Sequence, residues 1–179
     1  EKTYSGTAKY KLFKQSDRVP FNVSLYGSAD MNSQLKKSVY PGLKTSDRFS
    51  YTAQILASRS FSEKLSLEVA PIFVRHNLQD LNFTKTLTHN QLLFGMGGRY
   101  KLSKRLSLNM DYAYNFSKNK NSLYKNPLTI GVDIETGGHV FQLLFTNSRA
   151  SNDSSFLTET TGDWSKGEIS FGFNIVRVF

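Results

Sequence analysis

The chain has no cysteine, so neither a disulfide staple nor a thiolate metal site contributes to its fold. Its three histidines, His76, His89 and His139, stand far apart without metal-ligand spacing, and neither a metal nor a cofactor is expected. Long hydrophobic runs are missing too. No stretch approaches the roughly 18 consecutive apolar residues of a transmembrane helix, and mean hydropathy is −0.40. Helical membrane spanning is excluded. Spanning by strands is not, because a tilted strand crosses with about 9 to 11 residues and is apolar only at alternate positions.

The chain is rich in aromatics and in alternation. It carries 14 Phe and 9 Tyr in 179 residues. From Leu106 to Phe116 every second residue is large and apolar (Leu106, Leu108, Met110, Tyr112, Tyr114, Phe116), and Ser107, Asn109, Asp111, Ala113 and Asn115 lie between. The same period of two predicts nine strands, at about 3–14, 21–33, 48–60, 65–76, 90–102, 105–117, 127–136, 139–148 and 167–179. Helical spacing is nowhere convincing. Short connections follow the odd-numbered strands, including the Gly137-Gly138 dipeptide suited to a tight hairpin turn. Long polar loops at 34–47, 77–89, 118–126 and 149–166 follow the even-numbered ones. The pattern is a single domain over 1–179, an up-and-down meander with its short turns at one end and its long loops at the other.

Two environments suit such strands. A soluble β-barrel or sandwich binding a hydrophobic ligand would turn the apolar face inward. A transmembrane antiparallel β-barrel would turn it toward lipid. Strand length, aromatics near strand ends (Tyr4, Phe21, Phe49, Tyr51, Phe73, Tyr100, Tyr112, Tyr114, Phe116) and the split into short turns and long loops favour the bilayer. So does the final segment "GEISFGFNIVRVF", with Ile169, Phe171, Phe173, Ile175 and Phe179 on one face. The expected fold class is all-β, a transmembrane up-and-down barrel.

The opposite face, a polar lumen in this reading, gathers Lys9, Lys11, Asp30, Glu68, Arg99, Lys101, Asp111, Asp133 and Glu135. The bland explanation is mutual ion pairing, with Arg99 expected near Asp111 or Asp133; the functional one is a charged constriction. No residue is marked out as a nucleophile, and "GMGG" at 95–98 lacks phosphate-loop spacing, so no enzyme activity is expected. The formal charge of +9 lies largely in loops, at Lys36, Lys37, Lys44, Arg48, Lys85, Lys118, Lys120, Lys125, Arg149 and Lys166. No nucleic-acid motif accompanies it. On a bacterial outer-membrane barrel these side chains would meet the phosphates of lipopolysaccharide.

The stretches "GGRYKLSKRLSLNMDYAYNF", "PLTIGVDIETGGHVFQLLFTNS" and "GEISFGFNIVRVF" resemble a functionally uncharacterised family of Gram-negative outer-membrane β-barrel proteins. The likeness runs over essentially the whole chain and is most specific at "DIETGGHVFQL". It implies architecture, location in the bacterial outer membrane, and reading of the aromatic C-terminal strand by the barrel-assembly machinery. It implies no catalytic residues. Members of that family carry a leader and further strands before the point matching "EKTYSGTAKYKL", so the chain is expected to be the C-terminal part of a barrel of about 10 to 12 strands. The function expected is a small channel or a structural component of an envelope assembly, with other envelope proteins as further partners. The full-length protein should require detergent to stay monodisperse, and monodispersity without it, read by light scattering, would return the soluble alternative.

Overall fold

A computed structural model describes residues 2–78, 89–118 and 122–177 of the chain; Lys85, Lys120 and Phe179 lie outside them. Nine antiparallel strands form one sheet in sequence order: β1 (Thr3–Phe13), β2 (Asn22–Asn32), β3 (Phe49–Ser60), β4 (Leu65–His76), β5 (Asn90–Lys101), β6 (Leu106–Asn115), β7 (Leu128–Thr136), β8 (His139–Thr146) and β9 (Ser170–Arg177). These are the nine expected strands with ends moved by a few residues. The sheet curls into part of a barrel. A six-residue helix, α1 (Asp153–Thr158), lies against its inner face and touches β2, β3, β4 and β6. The α1 segment carries no legible sequence period, because six residues give too few helical repeats to register.

The turns follow from local chemistry. Gly137 and Gly138 take φ of 48° and 102°, so both central residues of the β7–β8 hairpin are left-handed, as a two-residue turn matched to strand twist requires. The β3–β4 and β5–β6 turns, "FSEKLS" and "LSKRLS", are built alike. In the first, the Ser62 hydroxyl accepts from the amides of Lys64 and Leu65, at 3.2 and 3.1 Å. In the second, Ser103 does the same for Arg105 and Leu106, at 3.2 and 3.1 Å.

Register decides what each face carries. Tyr100, Leu108, Val132, Leu143 and Phe173 stand directly opposite one another across β5 to β9, forming one apolar row on the outer face. Met110, Ile130, Phe145 and Phe171 form the next. Among the described residues, the outer face of the strands bears Asp, Glu, Lys or Arg only at strand ends, namely Arg59, Arg75 and Arg177. Long basic side chains there can reach the polar interface. Arg59 lies over the Phe61 ring, 5.1 Å from its centroid.

Exposure does not follow facing everywhere. Leu108 and Phe171 are exposed, but Tyr112, Ile130, Val132 and Leu143 are half-buried, since close cross-strand neighbours cover them. Conversely Asp111 and Asn174 face inward yet are exposed, because the curled sheet is open on one side. β1 carries an irregularity between Lys11 and Phe13, and among the described residues it pairs only with β2, as β9 pairs only with β8. Met110, on the outer face and 51% exposed, gives the sharpest check. Met110→Arg in the full-length protein should cost about 2 to 4 kcal/mol in reversible urea unfolding from lipid vesicles, and a cost near zero would mean that this face does not meet lipid.

Candidate functional site

All nine charged side chains expected in the lumen lie on the inner face. Direct pairing sets Lys9 against Tyr26, Lys11 against Ser24 and Asp30 against Ser50. It also sets Glu68 against Gly97, Gly97 against Asp111, and Asp133 against Gln142. They do not form one cluster. Three levels can be followed from the long-loop end to the short-turn end.

At the long-loop end the β8–β9 connection folds inward as a plug. Asp30, buried on β2, accepts hydrogen bonds through Oδ2 from the Ser154 amide at 3.3 Å and the Ser154 hydroxyl at 2.8 Å. Tyr26 donates to Asp153. Thr158 spends its hydroxyl proton on the Ser154 carbonyl at 2.6 Å, so its oxygen accepts from His76 Nε2 at 2.8 Å. With that proton on Nε2, His76 Nδ1 is left to accept from the Ser50 hydroxyl at 3.0 Å. The chain Ser50–His76–Thr158 therefore ties the wall to α1. Leu157 enters an apolar cluster with Ala70, Ile72, Val74, Leu93 and Ala113, flanked by Leu56 and Phe156.

This apolar patch departs from the wholly polar lumen that alternation implies. Its signal was present in "VAPIFV" at 69–74, where residues on both faces are apolar and alternation fails. A strand with two apolar faces must be covered on both, and on the inner side the cover is α1.

Beyond α1 the plug is tied to the neighbouring loop. Asn147 donates from Nδ2 to the carbonyls of Asn126 and Gly162, each at 3.0 Å, and its Oδ1 accepts from the Leu128 amide at 2.9 Å. Trp164 Nε1 donates to the Leu128 carbonyl at 3.1 Å. Lys125 Nζ lies 3.4 Å from Asp163. The Ser165 hydroxyl and amide, and then Lys125, hold the Asp163 carboxyl below the usual carboxylate range. A group lowered in this way contributes fully above its ordinary value and loses its contribution as pH falls through the lowered one.

In the middle of the wall, beneath the plug, lies a cavity of about 690 Å³. Glu68 and Asp111 line it, one on each side of Gly97, together with Gln54, Thr129, Thr146 and Asn174. At the short-turn end Arg99 is bound to Glu135 at 2.7 Å and lies 3.8 Å from Asp133, which in turn accepts from Gln142 at 3.1 Å. The expected Arg99–Asp133 contact is present. Arg99 and Asp111 are not joined, because register sets Arg99 opposite Asn109 and leaves Asp111 two residues closer to the plug. Lys9 and Lys11 on β1, and Lys101 at the end of β5, are exposed on the same face.

The histidines are redistributed. His76 and His89 are adjacent, with the His76 amide donating to the His89 carbonyl at 2.8 Å and His89 Nδ1 donating to the His76 carbonyl at 2.7 Å, whereas His139 lies at the opposite end. Among the described residues no group of three or more His, Asp or Glu is arranged to hold a metal ion.

An up-and-down antiparallel wall, apolar along its outer face with charges only at strand ends, and charged and plugged within, defines a membrane-spanning β-barrel protein. A family model described as a membrane bound beta barrel domain (DUF5777) matches residues 1–179, and the chain belongs to that family. Comparisons with curated proteins and with solved structures gave no match. Membership of a membrane family removes the soluble alternative.

Gly162 controls the plug's seat, since a Cβ there would strike the carbonyl oxygens of Asn147 and Glu168. Gly162→Ala should leave the strands paired but speed proteolytic cleavage within 149–166, as followed by mass spectrometry; unchanged cleavage would mean that the seat is not tight. On acidification the same cleavage should rise progressively as pH falls from the ordinary carboxylate range through the lowered Asp163 value, where this contribution is lost.

Proposed function

We propose that the chain forms most of the wall of a bacterial outer-membrane β-barrel, a non-enzymatic small channel held closed at its long-loop end by the inward-folded segment 149–166. The observation that carries this reading is the docking of α1, which joins the inner faces of β2 and β4 through Asp30 and His76 and buries Leu157 between strands. A barrel of about eight strands is filled by its own side chains; a wider one needs another element to close it. The short turns face the periplasm and the long loops the outside. Lipid covers the outer face, and Lys36, Lys37, Lys44 and other loop cations meet the phosphates of lipopolysaccharide. Barrel-assembly machinery inserts the protein, reading its C-terminal strand.

The barrel is completed by strands beyond the nine. β1 and β9 both run from the long-loop end to the short-turn end, so pairing them directly would be parallel. A second copy related by rotation about the membrane normal would present the same parallel edges. An odd number of further strands restores antiparallel pairing at both edges and an even total. Cysteines introduced as Ala8→Cys and Phe173→Cys in the full-length protein should therefore fail to cross-link to each other, and ready cross-linking would mean direct closure.

Conductance tests the channel. In planar bilayers the full-length protein should show low, infrequent conductance, and removal of residues 151–160 should raise it about tenfold or more as the lumen opens. Conductance that stays low after the deletion, with folding verified by heat-modifiable gel migration, would replace the channel with a structural component of an envelope assembly.

A further inference from the structure

The charges on the inner face are not all neutralised by one another. Arg99 answers Asp133 and Glu135, and Lys125 answers Asp163. Glu68 and Asp111 have no such answer: among the described residues neither forms a hydrogen bond or an ion pair with another side chain, and Lys9 acts on Glu68 only through space. Gly97 is what lets the two approach from either side. It stands directly opposite both in the sheet, and a Cβ on it would lie 2.5 Å from Asp111 Oδ1. Two carboxylates thus converge over bare backbone at mid-wall.

The space they face has a definite character. Among the described residues, the cavity of about 690 Å³ is lined by three carboxylates, those of Glu68, Asp111 and Asp153, and by no Lys, Arg or His. Asp153 is held by Tyr26, which leaves Glu68 and Asp111 free to act. The remaining wall is largely apolar, with Leu56, Ile72, Leu144, Phe156 and Leu157 contributed by both the sheet and the plug. A volume of this size suits a small organic molecule. Inorganic cations would leave the apolar wall unmatched, and an anion or a neutral hydrocarbon would leave two carboxylates uncompensated.

We propose that this cavity is a binding site for an organic cation, a protonated or quaternary amine carried on an apolar body. The ammonium group sits between Glu68 and Asp111 over Gly97, and the apolar body lies against Leu56, Ile72 and the plug residues Phe156 and Leu157. The Phe156 ring adds a face that attracts cations. The plug then has a second role, since it supplies part of the wall on which the ligand rests. The inference depends on the closed lumen proposed above, and calorimetry tests it without reference to conduction, so either reading can fail alone.

The test uses the full-length protein in an uncharged maltoside detergent, titrated by isothermal calorimetry with benzyltrimethylammonium and, separately, with its uncharged analogue neopentylbenzene. Saturable binding of the ammonium compound is expected, with the neutral analogue weaker by about tenfold or more. Glu68→Gln and Asp111→Asn should each weaken the ammonium compound by about tenfold, and Glu63→Gln, in the exposed β3–β4 turn, should leave it unchanged. Heat-modifiable migration verifies folding of each variant. Absence of saturable binding, equal binding of the two compounds, or undiminished binding in the Glu68→Gln, Asp111→Asn double variant would overturn the proposal.

Discussion

Everything in this structure depends on one constraint: a backbone amide or carbonyl facing lipid has no water to bond and must be satisfied by the strand beside it. That requirement makes the sheet continuous from β1 to β9 with every neighbour antiparallel. It also explains why Pro71 is conspicuous in an interior strand. Proline offers no amide, and between Gln54↔Ile72 and Ala57↔Val69 the β3–β4 ladder has no paired residues, although register resumes unshifted. On its other side Pro71 stays paired with Phe94, so the interruption is confined to one edge of one strand. The same constraint acts on the outer edges of β1 and β9, whose direction sets the parity of what must complete the wall.

Once the backbone is satisfied, the two faces of the sheet are free to differ, and they do so except where the inner face turns apolar beneath α1. Lipid accepts the outer rows of Leu, Ile, Val, Phe, Tyr and Met without any further partner. The inner face has no such solvent for its apolar residues, and Ala70, Ile72, Val74 and Leu93 would stand in a polar lumen if α1 did not cover them. The plug is held by two kinds of force at once. Leu157 contributes nondirectional burial, and Asp30, Tyr26 and His76 fix position and angle by directed hydrogen bonds. Apolar contact alone would let a six-residue helix slide along the wall.

Much of this was legible in the sequence because a strand's period of two is so short that a few residues determine facing. Nine strands, the two-residue glycine turn, the inward direction of nine charged side chains and the membrane reading all follow from alternation and loop length. The legible part stops where partners are chosen. Alternation places Arg99, Asp111, Asp133 and Glu135 on one face, but their pairing depends on register, and a shift of two residues would exchange Asp133 for Asp111 as the partner of Arg99 without altering the pattern. The plug was hidden for a different reason. "DSSFLT" reads as polar loop, and only the failure of alternation at 69–74 hinted that something apolar had to dock there.

By itself, then, the sequence determined the element type, the order of strands along the chain and which side chains share a face, since these are properties of neighbours along the backbone. Tertiary structure alone decided which carboxylates are neutralised and which are left facing the cavity, and where the 149–166 segment goes. Those outcomes join residues more than a hundred positions apart, as in Asp30 with Ser154 and Tyr26 with Asp153. No local pattern encodes such contacts, because they exist only once curvature has brought the inner faces of β2, β4 and β6 around a common centre.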